Sequence, residues 1–352
     1  MSGISPAPPL PRRFRRLRIV IIGCGDVGLR LVRQYAQRVN IVATSRRADQ
    51  QQQIRDAGGR AIAFDLDEPG RRRRLEALAS YLVYLAPPDA ARNGDPRLAA
   101  SLCRTLKPSG LRRACISRRA GGGRFAAPRR LAYTSTTGVF GDAGGRLLTE
   151  TDYPNPQSQR AKRRMAAEIL VRRFTRPSRT GGNRYNCQPG RGVAGSIFRA
   201  PGIYAADRLP LARFERSQPC LEAAADSFSS HIHASDLARI LWLGLFRGRA
   251  ARTYIASDGQ RLKMGDYFDQ IADALDLPRP PRLSAEQVRS EVSPMAWSFM
   301  SESRQLSNDR LTQEFGIRLR YPTVADTLRE LPAPRTQRQH YAPCESNRSR
   351  DK

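Results

Sequence analysis

The hydrophobic positions of this chain come in short runs separated by stretches of helical spacing. Leu17 to Ile22 (LRIVII) is an apolar run of strand length, of the kind buried on both faces of a parallel sheet. Gly23-Cys24-Gly25-Asp26-Val27-Gly28 follows. In the next stretch Val27, Leu31 and Tyr35, and likewise Gly28, Val32 and Ala36, recur at four-residue intervals and make one helical face. Asn40 to Thr44 (NIVAT) predicts a second strand, so this first segment reads as a βαβ unit. The alternation continues through strands at 61–64 (AIAF), 81–85 (YLVYL), 131–135 (LAYTS) and 196–199 (SIFR). Helices are predicted at 71–80, near 96–106 and at 158–174. Strands alternating with helices predict an α/β fold with a doubly wound parallel sheet.

Beyond Tyr204 the pattern becomes mixed. HIHASDLARILWLGLF begins as a strand and becomes a helix, and TYIAS is a strand. MGDYFDQIADALDL is a helix with Tyr267, Ile271 and Leu275 on one face, and NDRLTQEF is a helix ended by Gly316 in the C′ position. The expected organisation is a mobile Pro/Arg leader (1–17), a dinucleotide-binding domain (18–204) with insertions near 107–130 and 175–193, a smaller C-terminal substrate region (205–333) and a disordered tail (334–352).

Composition changes this picture little. The 352 residues carry 61 basic against 32 acidic side chains, a net charge of +29, which raises nucleic acid as a partner. Only four of the basic residues are lysine (Lys107, Lys162, Lys263, Lys352), and residues 101–130 hold nine basic residues and no acid. An arginine bias this lopsided, alongside abundant Ala, Gly and Pro, fits a GC-rich coding sequence as well as a selected surface, so no nucleic-acid partner is expected. No apolar run reaches the length of a membrane span. The N-terminus has no apolar segment leading to a cleavage site, which predicts a cytoplasmic chain. The six cysteines show no ordered spacing and read as reduced thiols, and no metal-ligand cluster is visible.

The glycine pattern carries the first chemistry. Between a predicted strand and a predicted helix, Gly23 allows a tight turn, Gly25 lets a pyrophosphate approach the backbone, and Gly28 lets the helix close on the sheet. The helix N-terminus then offers amides and a positive dipole end to phosphates. At the end of the second strand, where NAD sites place an acid, this chain has Thr44-Ser45-Arg46-Arg47 and no acid until Asp49. Hydroxyls and guanidiniums suit a 2′-phosphate, which favours NADP, with NAD the other candidate.

With these features the sequence resembles an atypical, extended member of the short-chain dehydrogenase/reductase superfamily, near its NAD(P)-dependent epimerase/dehydratase group. The likeness spans roughly residues 17–330. It rests on GCGDVG (23–28), Asp65-Leu66-Asp67, YLAPP (84–88), YTSTTGVFGD (133–142), NPQSQRAK (155–162), FRAPGIY (198–204), HIHASDLA (231–238) and RQLSNDRL (304–311). The resemblance implies a Rossmann-type fold with a smaller mixed C-terminal region and an oxidoreductase acting on a small carbonyl or sugar-like substrate. It implies cofactor contacts from Gly23, Gly25, Asp26, Val27 and Gly28, with Asp65 and Leu66 at the adenine. Leu85, Ala86 and Pro87 would lie at the ribose and nicotinamide, and Pro201, Gly202 and Ile203 on the nicotinamide face. Thr136, four before the aromatic Phe140, takes the catalytic-hydroxyl position, Lys162 the lysine position, and His233–Asp236 would close the site. A homodimer is left open.

Three departures stand out. The family pairs Tyr-x-x-x-Lys, and four residues before Lys162 stands Ser158, whose hydroxyl is a poor proton donor beside a phenol. Ile22 occupies the first position of the usual G-x-x-G-x-x-G, and 107–130 and 175–193 look inserted. Tyr153 and Tyr204 are the substitute donors considered. His231 and His233 read as structural, and Cys24 as a packing residue. The competing function is a catalytically silent NAD(P)-binding regulator or scaffold.

Overall fold

A computed structural model of the chain describes residues 17–67, 80–89, 94–99, 130–175 and 193–331. Seven parallel strands form the central sheet: β1 (Arg18–Ile22), β2 (Asn40–Ser45), β3 (Arg60–Ala63), β4 (Tyr81–Tyr84), β5 (Arg130–Thr136), β6 (Ala194–Ala200) and, after two short strands β7 (Gly202–Tyr204) and β8 (His231–His233), β9 (Thr253–Ile255). Their order across the sheet is β9-β6-β5-β4-β1-β2-β3. The order turns back beside β1, and in open α/β sheets ligands bind outside the carboxyl ends of the strands at that point.

The apolar runs explain the strands. Ile19 through Ile22 are all at most 2% exposed, covered on both faces. One face packs helices α1 (Asp26–Tyr35) and, after α2 (Ala48–Asp56) and α3 (Gln159–Thr175), α4 (Ala234–Arg247). Tyr35 of α1 stacks on Trp242 of α4 with ring centroids 3.9 Å apart. The other face packs Leu82, Tyr84, Leu131, Tyr133 and Ile197 against Ala167 and Val171 of α3.

The chain returns to this sheet after residue 204. The TYIAS stretch supplies β9, paired parallel with Ile197–Arg199, and the helix that follows HIH is α4. A smaller core gathers around α5 (Met264–Leu275), where Tyr267, Phe268 and Ile271 pack with Tyr204, Cys220 and Val324, and Leu275 lies against them. Gly316 ends the helix Asp309–Phe315 in the left-handed conformation, at φ +55°.

The expected helix at 71–80, except Ser80, and the tail from 334 lie outside the described residues. So do the leader except Leu17, and the two insertions except Arg130, Thr175 and Val193. Among the described residues no helix is long and apolar enough to cross a membrane. Cys24 and Cys220 are buried and unpaired, and the other four cysteines lie outside the described residues.

Candidate active site

The glycine turn is built by its neighbours. Gly23 sits at φ +77°, and a Cβ there would lie 2.7 Å from the backbone N and Cα of Ala86. Its amide donates to Thr44 Oγ1 at 3.1 Å, and the Cys24 amide donates to the Thr44 carbonyl at 2.8 Å, which ties the turn to the end of β2. Gly25 is the N-cap of α1, no side chain caps the helix, and nothing lies within 4 Å of where a Cβ on Gly25 would stand. Uncapped first-turn amides facing open space are what a pyrophosphate requires, so the residues present fit a dinucleotide. Asp26 is held by Arg30 at 3.0 Å and by Arg208 at 3.2 Å. Arg208 reaches over from the 3-10 turn Ala206–Arg208 and offsets the acid beside the turn.

At the adenosine end the ends of β2 and β3 meet. Ser45 Oγ accepts from the Arg47 amide at 3.3 Å, and Arg46 reaches Asp65 at 3.9 Å. Arg47 pairs with Asp49, Nε to Oδ1 at 3.0 Å, and this hydrogen bond holds the Asp49 carboxyl down at about 2. Asp65 also accepts from the Asp67 amide at 2.9 Å, with Leu66 between them. Arg46 and Arg47 are both largely exposed, each beside the acid it pairs with.

From the glycine turn a cavity of about 510 Å³ runs across the carboxyl ends of β1, β4, β5 and β6. Gly23, Gly25, Asp26, Val27, Gly28 and Leu85 line one end, with Pro201, Gly202 and Ile203 on the wall, whereas Ala86 and Pro87 are not part of the lining. At the far end stand Thr136, Arg160, Arg164, Phe299, Glu302 and Arg304. Thr136 Oγ1 accepts from the Gly138 amide at 3.2 Å, so its own hydroxyl proton remains to be donated. Arg164 Nη1 donates to the carbonyls of Thr134 (3.0 Å) and Ala86 (3.4 Å) and to Tyr133 Oη (3.1 Å). Arg160 lies over the Phe299 ring at 4.3 Å, and Arg304 pairs with Glu302 at 2.5 Å.

No family model matches the chain, and comparison with curated proteins finds no match. Solved structures do match. A conserved protein of unknown function from Silicibacter pomeroyi DSS is 26% identical at a TM-score of 0.67, covering 89% of this chain and 96% of that one. UDP-glucose 4-epimerase from Thermotoga maritima, solved with UDP-glucose, is 12% identical at 0.66, covering 89% and 96%. A double mutant of the dTDP-glucose 4,6-dehydratase DesIV from Streptomyces venezuelae, with NAD and DAU bound, is 16% identical at 0.65, covering 92% and 97%. The chain has the fold of the extended short-chain dehydrogenases/reductases.

Within that fold, of the two expected catalytic residues, Thr136 lines the cavity and Lys162 does not. Lys162 is exposed and does not line the cavity. Ser158, four residues earlier, accepts from the Ala161 amide at 3.2 Å and so caps the start of α3. The face of α3 turned to the cavity carries Arg160 and Arg164, also four residues apart. The physical reason is helix rotation: Glu168, one turn beyond Arg164, is locked inward by Arg199, and a helix that turns residues 160, 164 and 168 inward sends 162 outward. The i, i+4 spacing of the two arginines was visible in the sequence but was lost among so many others.

The substitute donors stand away from this cavity. Tyr153 is 95% exposed, and Tyr204 is buried in the smaller core, its hydroxyl pushed well up by burial. His231 stacks on Tyr267 at 4.0 Å, and His233 caps α4 by accepting from the Ser235 amide at 3.2 Å. Burial depresses both imidazoles to about 4, which suits neutral structural rings. Asp236 accepts from the amides of Arg320 (3.0 Å) and Tyr321 (2.8 Å), pinning the C-terminal segment. Burial raises the Cys24 thiol to about 12, which keeps it inert.

Proposed function

We propose that this chain is an NAD(P)-dependent oxidoreductase of the epimerase/dehydratase type acting on a small carbonyl or sugar-like substrate. The observation that carries this reading is the single cavity joining the uncapped amides of α1 to Thr136 and the Pro201–Ile203 wall. A bound nicotinamide would supply or accept a hydride there. The chain's own part is to hold pyrophosphate at Gly25, to donate a hydrogen bond from Thr136 to the substrate oxygen, and to place positive charge beside it. Arg160 and Arg164 offer guanidinium donors, which stabilise negative charge developing on the substrate.

The first test is cofactor choice. NADPH should bind more tightly than NADH, and the Arg46→Ala/Arg47→Ala variant should lose about 10- to 100-fold of NADPH affinity, the worth of one or two charge-assisted bonds. Equal affinities, unchanged in the variant, remove the phosphate assignment; calorimetry reads both. The second test concerns turnover. Thr136→Ala should slow hydride transfer by about 100-fold with dinucleotide affinity nearly intact.

A second reading has its own observation: among the described residues no tyrosine lines the cavity. The chain would then be a dinucleotide-binding regulator with lost chemistry. Tight dinucleotide binding with no turnover on aldehydes, ketones or nucleotide sugars would select it.

A further inference from the structure

The inner wall of the cavity is more positive than its own partners can offset. Arg208 is paired with Asp26 and Arg304 with Glu302. Arg160 and Arg164 line the same cavity, and among the described residues neither has a carboxylate within 4.0 Å. Arg164, which lines the cavity, spends only Nη1 on its three uncharged acceptors, which fix the guanidinium and leave Nε and Nη2 without a hydrogen-bond partner among the described residues. Arg160 is held by the Phe299 ring at 4.3 Å. Both stand on successive turns of one helical face, about 6 Å apart at Cβ, a separation that one oxyanion or a short dianion bridges. Partial desolvation of its guanidinium, with the Arg164 and Arg304 charges set against the opposing Glu302 carboxylate, makes the Arg160 cation less favourable than usual, and an entering anion would relieve that.

We propose that Arg160 and Arg164 clamp an oxyanion on the substrate, so that the molecule oxidised or reduced here is an acid, with a carboxylate or phosphate close to the reacting carbon. This rests on the oxidoreductase reading for the reaction, although the clamp itself binds whether or not chemistry follows. Arg164 is fixed before the ligand arrives, so for that side chain little ordering is left to oppose binding. Arg164 also ties the substrate end to the cofactor end. It bonds Thr134, two residues before Thr136, and Ala86, which packs on Gly23. The dinucleotide's own diphosphate belongs at the opposite end of the cavity, on the Gly25 amides.

The test is calorimetry on the full chain saturated with NADP+, at low ionic strength, titrating malonate, inorganic phosphate and uncharged malonamide. Binding of malonate or phosphate, with no binding of malonamide, is expected; the tighter anion identifies the carboxylate or the phosphate class. Arg160→Gln should weaken that anion at least 10-fold while the NADP+ affinity changes less than 2-fold. Arg160 is exposed, so this variant should fold normally. Arg164→Lys should keep part of the anion affinity that Arg164→Gln loses. Binding unchanged in Arg160→Gln, equal binding of malonamide, or no anion binding by wild type overturns the clamp. A chain that takes the anion but no dinucleotide keeps the clamp and defeats the oxidoreductase reading.

Discussion

Glu168→Ala should be the most destabilising single change available in α3, by about 3–5 kcal/mol, because it strands a buried guanidinium. Glu168 is fully buried and Arg199 is 1% exposed. Arg199 Nε and Nη2 donate to the two carboxylate oxygens at 3.0 and 2.9 Å, Ser135 Oγ donates at 2.7 Å, and Arg172 adds a fourth bond at 3.0 Å. Burial alone would raise this carboxyl, but Arg199, Ser135 and Arg172 outweigh it and hold the group below its ordinary value. A thermal melt should drop on the order of 10 °C for Glu168→Ala. Replacing Glu168 and Arg199 together by methionine should cost less than the single change, since no charge is left unpaired. A single variant as stable as wild type, or a double variant worse than the single, would show that the pair holds nothing. The same contacts set the rotation of α3, so Glu168→Ala should also weaken the anion site that Arg160 and Arg164 form.

That network explains where the sequence was legible and where it was not. Runs such as RIVII and NIVATS are buried on both faces of the sheet, and hydrophobicity alone marks such strands. The glycine turn was equally plain, because its glycines fall between an apolar strand and an amphipathic helix, where Gly23 takes a positive φ and Gly25 leaves open space at the start of α1. The helix α3 was found, but not its rotation. Its inward face carries Arg160, Arg164 and Glu168, whereas Ile169 lies 41% exposed, so apolar periodicity points to no face. Burial of the charged stripe depends on partners far along the chain, Arg199 on β6 and Thr253 on β9, which no local pattern reveals. The placing of Thr253–Ile255 at the sheet edge was hidden for a related reason: three residues fix a strand but not its neighbour. Arg208 was missed because it meets Asp26 across 182 positions of sequence.

Gly25→Val should abolish dinucleotide binding while the fold survives. No atom lies within 4 Å of the position a Cβ would take, so the added side chain meets no protein and instead fills the space above the first-turn amides of α1. Two or three amide bonds to a charged phosphate, at about 1.5–3 kcal/mol each, make the expected loss about 100-fold or more in affinity. Gly23→Ala is the contrasting change. At φ +77° with its new Cβ 2.7 Å from the Ala86 backbone, it must displace the segment after β4, so it should lower the melting temperature as well as the affinity. Separating the two effects is what makes the pair informative. Unfolding of Gly25→Val would mean the turn is a packing element, and wild-type affinity in a folded Gly25→Val would place the pyrophosphate elsewhere. Only a folded chain that has lost the dinucleotide agrees with a pyrophosphate resting on the start of α1.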